Sequence, residues 1–228
     1  MKPITTLLTI LFISLLSSPS WSETLSLDDL VERNGLYYKK FTDVPFTGGV
    51  TGKSNGDFRN GKKSGSWVTF HSNGQLWYKV NYTNGKKEGI FEWYDENGQL
   101  FKKLNYEDGK EEGLSELYHK NGTLWEKHNF KNGNREGLSI SYHKNGQLSY
   151  RGFYKDGKTE GLWEYYHKNG QLKHKGVYKD GKKEGLWEYY YENGQLSRTG
   201  SNHKDGIPVG IWLFYDENGH LESKLNFK

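Results

Sequence analysis

The sequence predicts an all-β chain: an elongated single-layer antiparallel sheet of repeated β-hairpins, entered through a short N-terminal helix. Three observations carry that expectation. The first is a period. Asn-Gly or Asp-Gly glycines fall at Gly61, Gly85, Gly109, Gly133, Gly157, Gly181 and Gly206, a step of 24 residues that becomes 25 at the last. Self-similarity at a fixed interval marks a repeat array, in which each unit leans on its neighbours. The second is another series of turn glycines in step with it: Gly74, Gly98, Gly122, Gly146, Gly170, Gly194 and Gly219. Each unit therefore holds two turns and two bulky runs such as Leu186-Trp187-Glu188-Tyr189-Tyr190. Asn-Gly between such runs signals a hairpin, because glycine enters positive φ without a steric cost. The third is composition. Only 33% of the 228 residues are apolar, yet 16% are aromatic, so the rings must supply most of the buried area.

Taken in order, residues 1–22 are expected to be a signal peptide. Lys2 precedes a 13-residue, mostly apolar run from Ile4 to Leu16, and Ser20-Trp21-Ser22 offers small residues for cleavage. That run is too short to span a bilayer as a helix. The expectation is an exported chain, periplasmic or secreted. With no cysteine there is neither a lipidation site nor a disulfide framework. A net charge of +4 with interspersed signs gives no basic stripe, so no nucleic-acid partner is expected.

Residues 23–57 read as a leader containing a degenerate half-repeat that caps the array. Ser26, with Asp29 three residues on, has the pattern of a helix N-cap, and Leu27, Leu30 and Val31 would share one helical face. Asn34-Gly35 would end that helix. Leu36-Tyr37-Tyr38 reads as a strand, and Val44-Pro45-Phe46 as an edge segment, since proline cannot donate to a ladder. From 58 to 228 the chain holds seven units of about 24 residues.

Within a unit, pairing Tyr94 with Leu100 leaves Gly98 at the left-handed position of a three-residue loop. It also sets Glu92 opposite Lys102 and Trp93 opposite Phe101. One face then carries the recurrent positions: Ile90, Leu114, Leu138, Leu162, Leu186 and Ile211, with an aromatic such as Tyr94 or Tyr118 two strand steps on. Recurrence marks this as the expected structural face. The other face varies, reading Trp67, Phe91, Ser115, Ser139, Trp163, Trp187, Trp212 at one position. Two residues on it reads Thr69, Trp93, Leu117, Ser141, Tyr165, Tyr189, Phe214. At the last junction Ser201-Asn202-His203 carries one extra residue, read as a bulge or kink.

With Tyr-x-Asn/Asp-Gly-Lys-x-x-Gly-x-Trp-x-x-Tyr laid out, the sequence resembles MORN-repeat proteins (membrane occupation and recognition nexus). It most resembles the bacterial variant whose units run on into Asn-Gly-Gln-Leu, the YwqK-type antitoxin family. The likeness spans 58–228 in seven in-phase units. It implies an elongated sheet of hairpins and a role in protein or lipid contact and scaffolding, without a shared chemistry.

No catalytic residue, metal site or cofactor is expected. His71, His119, His143 and His167 recur before turns, but equivalent residues two strands apart are about 10 Å apart, too far to share an ion. Glu88, Glu112, Glu136, Glu160 and Glu184 read as solvated turn residues on the same spacing. The one candidate binding face is the aromatic set Trp67, Phe91, Trp93, Trp163, Tyr165, Trp187, Tyr189 and Trp212. Trp and Tyr dominate recognition hot spots. The competing reading, that these rings stack to stiffen a thin sheet, is favoured because such a sheet has no other way to hide area. The expected function is a non-enzymatic scaffold with a protein partner. Glycan or lipid-headgroup binding and neutralisation of a partner toxin are the alternatives.

Overall fold

In the computed structural model, which describes residues 23–204 and 206–228, the Asp-Gly and Asn-Gly pairs set the path of the chain. Asp108 and Gly109 take φ of 50° and 83° and close a two-residue turn between paired Glu107 and Lys110. Positive φ at both central positions matches the twist of the flanking strands, so the two arms leave the turn already paired. Asn60, Asn84, Asn132, Asp156 and Asp180, each before its glycine, repeat the geometry. At the other end of the units the glycines from Gly74 to Gly219 take φ between 78° and 86°. There the Gly98 N–H donates to Asp95 O at 2.9 Å, and the loop is repeated unit by unit.

These turns lay out a meander. The first unit is Lys62–Phe70 with Leu76–Thr83, the second Lys86–Tyr94 with Leu100–Glu107, and the third Lys110–Tyr118 with Leu124–Lys131. Asn134–Tyr142 with Leu148–Lys155, Lys158–Tyr166 with Leu172–Lys179, and Lys182–Tyr190 with Leu196–Lys204 follow. Gly210–Tyr215 with Leu221–Phe227 completes the series. Each strand pairs antiparallel with the one before and the one after it, as at Leu114↔Asn129 and Leu162↔Val177. Ser54–Arg59 and Gly48–Val50 extend the same sheet ahead of the first unit, and among the described residues this sheet has 18 strands.

Two local expectations need correction. Tyr94 does pair with Leu100, but a bulge at Phe101 shifts the ladder by one. Trp93 therefore faces Lys102, and Glu92 faces Lys103. The Trp93 and Phe101 rings still meet edge-on at 5.1 Å. The short N-terminal helix is reduced to a single 3-10 turn, Leu27–Asp29. Ser26 caps it as expected, its hydroxyl accepting from Asp28 N–H at 3.1 Å while the Asp29 carboxylate accepts from Ser26 N–H at 2.9 Å. Leu30–Arg33 then becomes a strand paired with Leu36–Lys39, and Asn34-Gly35 is their hairpin turn, with φ of 53° and 75°. The hairpin signal outweighs three apolar residues at helical spacing. The signal-peptide segment, 1–22, lies outside the described residues.

The leader adds a second layer at one end only. Leu30, Phe46, Val50 and Phe58 are buried with Trp67 and Val80, and Leu25, Leu27 and Tyr37 pack against them. At the far junction the extra residue is absorbed by a bulge, for Gly185 pairs with His203 while Trp187 pairs with Gly200.

Neighbouring units are also stitched by side chains that sequence spacing alone makes look like bare turn residues. Glu88 accepts from Asp108 N–H at 3.0 Å, and Glu112, Glu136 and Glu160 do the same one unit on. His71, His119, His143 and His167 place Nε2 2.9–3.1 Å from the carbonyl of the tyrosine 23 residues later. A carbonyl only accepts, so Nε2 carries the proton in each. Replacing His143 by alanine leaves Tyr166 O without its donor. It should cost about 1 kcal/mol, read as a lower urea midpoint with an unchanged slope.

Candidate binding surfaces

The two faces of the sheet have exchanged the roles that recurrence suggests. The recurrent aliphatic row, Ile90, Leu114, Leu138, Leu162, Leu186 and Ile211, keeps 41–55% of its surface in solvent. The variable face holds the packed interior. Trp67, Trp163, Trp187 and Trp212 are buried to 6% exposure or less.

A single-layer sheet can bury an indole only if the neighbouring strand makes room, and glycine supplies the room. A Cβ added at Gly152 would stand 2.1 Å from the Trp163 ring, at Gly176 2.2 Å from Trp187, and at Gly56 2.3 Å from Trp67. Gly200 stands in the same relation to Trp212. Where the outgoing strand carries a smaller residue, the return strand before it carries a larger one. Val80 precedes Phe91, Leu104 precedes Ser115, and His128 precedes Ser139. In each pair the bulk is shared between the two strands, as close packing demands. The indoles lie flat on glycine and are roofed by other rings. Tyr154 and Tyr178 meet Trp163 edge-on at 5.2 and 5.9 Å, and Tyr178 also meets Trp187 at 5.1 Å.

Of the eight candidate residues, four are thus interior. Phe91, Trp93, Tyr165 and Tyr189 are half-buried on the same face. Tyr165 stacks on His174 at 4.2 Å, and Tyr189 lies between His174 and Arg198. Burial pushes the His174 pKa down to about 4, helped by the cations of Lys183, Lys173 and Arg198.

The aromatic ladder breaks at its centre, where Ser115, Ser139, Glu126 and His128 are buried together. Burial alone would raise the Glu126 pKa. His128, the Tyr150 hydroxyl at 2.8 Å and Arg135 at 3.3 Å outweigh it and hold the carboxyl below its ordinary value. A serine, a histidine and a glutamate side by side invite comparison with a nucleophile and its base. His128 Nδ1 lies 3.2 Å from Glu126, but neither serine Oγ has a hydrogen-bond partner. Both serines are fully buried. Activation needs the base within hydrogen-bond reach of the hydroxyl and a route in for substrate. The group is a polar plug. Among the described residues no three His, Asp or Glu side chains converge where they could hold a metal ion.

Two of the clefts on the aromatic face are lined mainly by rings. One, of about 310 Å³, is lined by Trp77, Tyr78, Tyr82, Lys87, Phe91 and Trp93. The other, of about 330 Å³, is lined by Lys183, Tyr189, Arg198, Trp212, Phe214 and Phe227, with Gly206 and Pro208 at its edge. Glycine partners and clefts alike went unread in the sequence. The glycines left a signal there, since Gly56, Gly152 and Gly176 each stand 11 residues ahead of their tryptophan.

Compared with known proteins, the chain matches the family model described as MORN repeat variant seven times, at 63–84, 87–108, 111–132, 135–156, 159–180, 183–205 and 208–228. The match is to the repeat variant alone and carries nothing of the YwqK-type antitoxin likeness. No curated protein sequence matches. Among solved structures, TarM aligns at a TM-score of 0.29 and 13% identity, over 42% of this chain and 19% of TarM. A point mutant of S. aureus TarM, in complex with Fondaparinux, alpha-GlcNAc-glycerol and UDP, aligns with the same figures. The chain thus spans about a fifth of those proteins, and a likeness so slight carries no argument.

Proposed function

This chain belongs to the MORN repeat variant family, whose repeats are generally protein- or membrane-binding modules, and from that premise we propose an exported, non-enzymatic scaffold for protein–protein binding. Export rests on the sequence of residues 1–22 alone.

One observation supports the docking surface: an exposed apolar row on the outer face. Leu138, Phe153, Leu162, Val177 and Leu186 stand on five successive strands, each 41–55% exposed. Leu138 pairs directly with Phe153, and Leu162 with Val177, while at the other two junctions Phe153 pairs with Glu160 and Val177 with Glu184. In the first half of the array the row is interrupted, since Asn105 and Asn129 pair with Ile90 and Leu114. Adjacent strands are about 4.8 Å apart, so these five residues run about 19 Å across the sheet. A contiguous apolar patch rimmed by charge marks an interaction site. Here the rim is ion pairs, Arg151 with Glu164 and Lys175 with Glu188 at 2.9 Å. They fix orientation and exclude mismatched charge more than they add affinity.

The test compares two faces of one folded protein. Leu162→Glu with Phe153→Ser should abolish affinity capture of a partner by the mature chain, while Trp93→Ser on the opposite face leaves capture intact. Undiminished capture by the first variant, folded by circular dichroism, would remove the reading.

A further inference from the structure

We propose that the cleft bounded by Lys183, Arg198, Tyr189, Trp212, Phe214 and Phe227 binds a carboxylate carried on an apolar body. Its chemistry is an aryl or acyl carboxylate, either as a free acid or as the terminal residue of a polypeptide. The inference is independent of the outer-face scaffold, because the cleft opens on the other side of the sheet.

Charge balance along the inner face points to it. Among the described residues, two other cations on this face are paired with an acid. Lys102 pairs with Glu111 at 3.3 Å, and Arg135 lies 3.3 Å from Glu126. At the last cleft the pattern lapses. Among the described residues, no carboxylate pairs with Lys183 or Arg198. Instead the two cations are held in place by rings. Lys183 Nζ sits 4.2 Å from the Trp187 ring centroid and donates to the Tyr189 hydroxyl at 2.9 Å. The Arg198 guanidinium lies 4.2 Å over Tyr189. Ring faces hold a cation in position without neutralising it, so both charges remain available to an incoming anion.

The rest of the lining selects the body of the ligand. Trp212, Phe214, Phe227 and Pro208 are apolar, and among the described residues no Asn, Gln, Ser or Thr side chain lines the cleft. A polyhydroxylated sugar would leave its hydroxyls without partners there, which is costly on binding. An apolar group loses nothing, and its carboxylate can take charge-assisted bonds from guanidinium and ammonium together. The aromatic cleft at Phe91, near the other end of the array, lacks this pair of cations, since Lys87 alone stands in its lining.

The experiment titrates the full chain, following tryptophan fluorescence, with five probes at low salt. These are 3-phenylpropionate, its amide, galacturonate, and a short peptide ending in phenylalanine with its carboxylate free or amidated. Phenylpropionate or the free-acid peptide should bind at least about tenfold more tightly than its amide. Whichever of the two acids binds identifies the source. Arg198→Gln and Lys183→Met, which keep the side-chain stems over their rings, should each weaken binding by a similar factor, while Leu162→Glu leaves it unchanged. The proposal is overturned if acid and amide bind alike, if galacturonate binds as well as phenylpropionate, if neither acid binds, or if the folded double variant keeps full affinity.

Discussion

Gly176→Val is expected to destabilise the chain by about 3 kcal/mol or more, and a second change, Trp187→Phe, to restore most of the loss. A Cβ at 176 would stand 2.2 Å from the Trp187 ring, and the ring has nowhere to go. It is fully buried, Gly200 faces it across the next strand, Tyr178 meets it edge-on and Lys183 covers it. The rescue has a precedent inside the molecule. Val80 and Phe91 occupy the equivalent positions four units earlier, in an intact part of the sheet. Trp187→Ala should cost about 3–5 kcal/mol by the opposite route, a cavity over Gly176 and Gly200. A repeat array can fray from one end. The thermal midpoint should therefore be read beside amide exchange in Lys158–Tyr166 and Lys182–Tyr190. The decisive quantity is the coupling in the double-mutant cycle. If Gly176→Val is neutral, or if the double variant is no better than the single one, the shared-volume account of the inner face is wrong.

The same pairs show what the sequence disclosed. The period, the turns and the Tyr94 to Leu100 pairing were legible because each depends on a few adjacent residues and the stereochemistry of glycine. The role of each face was not. Recurrence at Leu114, Leu138, Leu162 and Leu186 suggested burial, whereas those residues repeat on an exposed surface. The interior varies between units because the space is shared between two strands, so Trp163 and Ser139 are both right answers once Gly152 and His128 are counted with them. Ser139 and Ser141 made the middle unit look bare when read one strand at a time. In the fold Ser139 lies beside His128 and the buried Glu126. The bulge at Phe101 depends on backbone geometry that side-chain pairing rules do not carry. The stitches from Glu88 to Asp108 N–H and from His143 to Tyr166 O cross between units, where a single-unit pattern is blind.

Acidification should weaken the sheet in two separable stages, and His174 sets the first. Burial beside Lys183, Lys173, Arg198 and His167 lowers its pKa to about 4, while an unfolded chain keeps the ordinary value of about 6.5. Between those values the unfolded chain binds a proton that the folded chain refuses. Stability is therefore flat above about pH 6.5 and falls as the pH drops from there toward 4. The ring is only half-buried and stacked between Tyr165 and Tyr189, so solvent screening reduces the full linkage value to about 1–2 kcal/mol. Glu126 sets the second stage. Its carboxyl is held below the ordinary range, so its contribution is present above the unfolded value and lost as the pH falls through the folded one, below the window of His174. Thermal midpoints taken from pH 8 to 3 in constant salt should show both slopes. His174→Phe, which keeps the stack between the two tyrosines, should flatten the limb between pH 6.5 and 4. Glu126→Gln should keep that limb and flatten the lower one. An unchanged upper limb in the phenylalanine variant would mean that His174 does not carry it, and the low-pH loss would then belong to the carboxylates along the sheet.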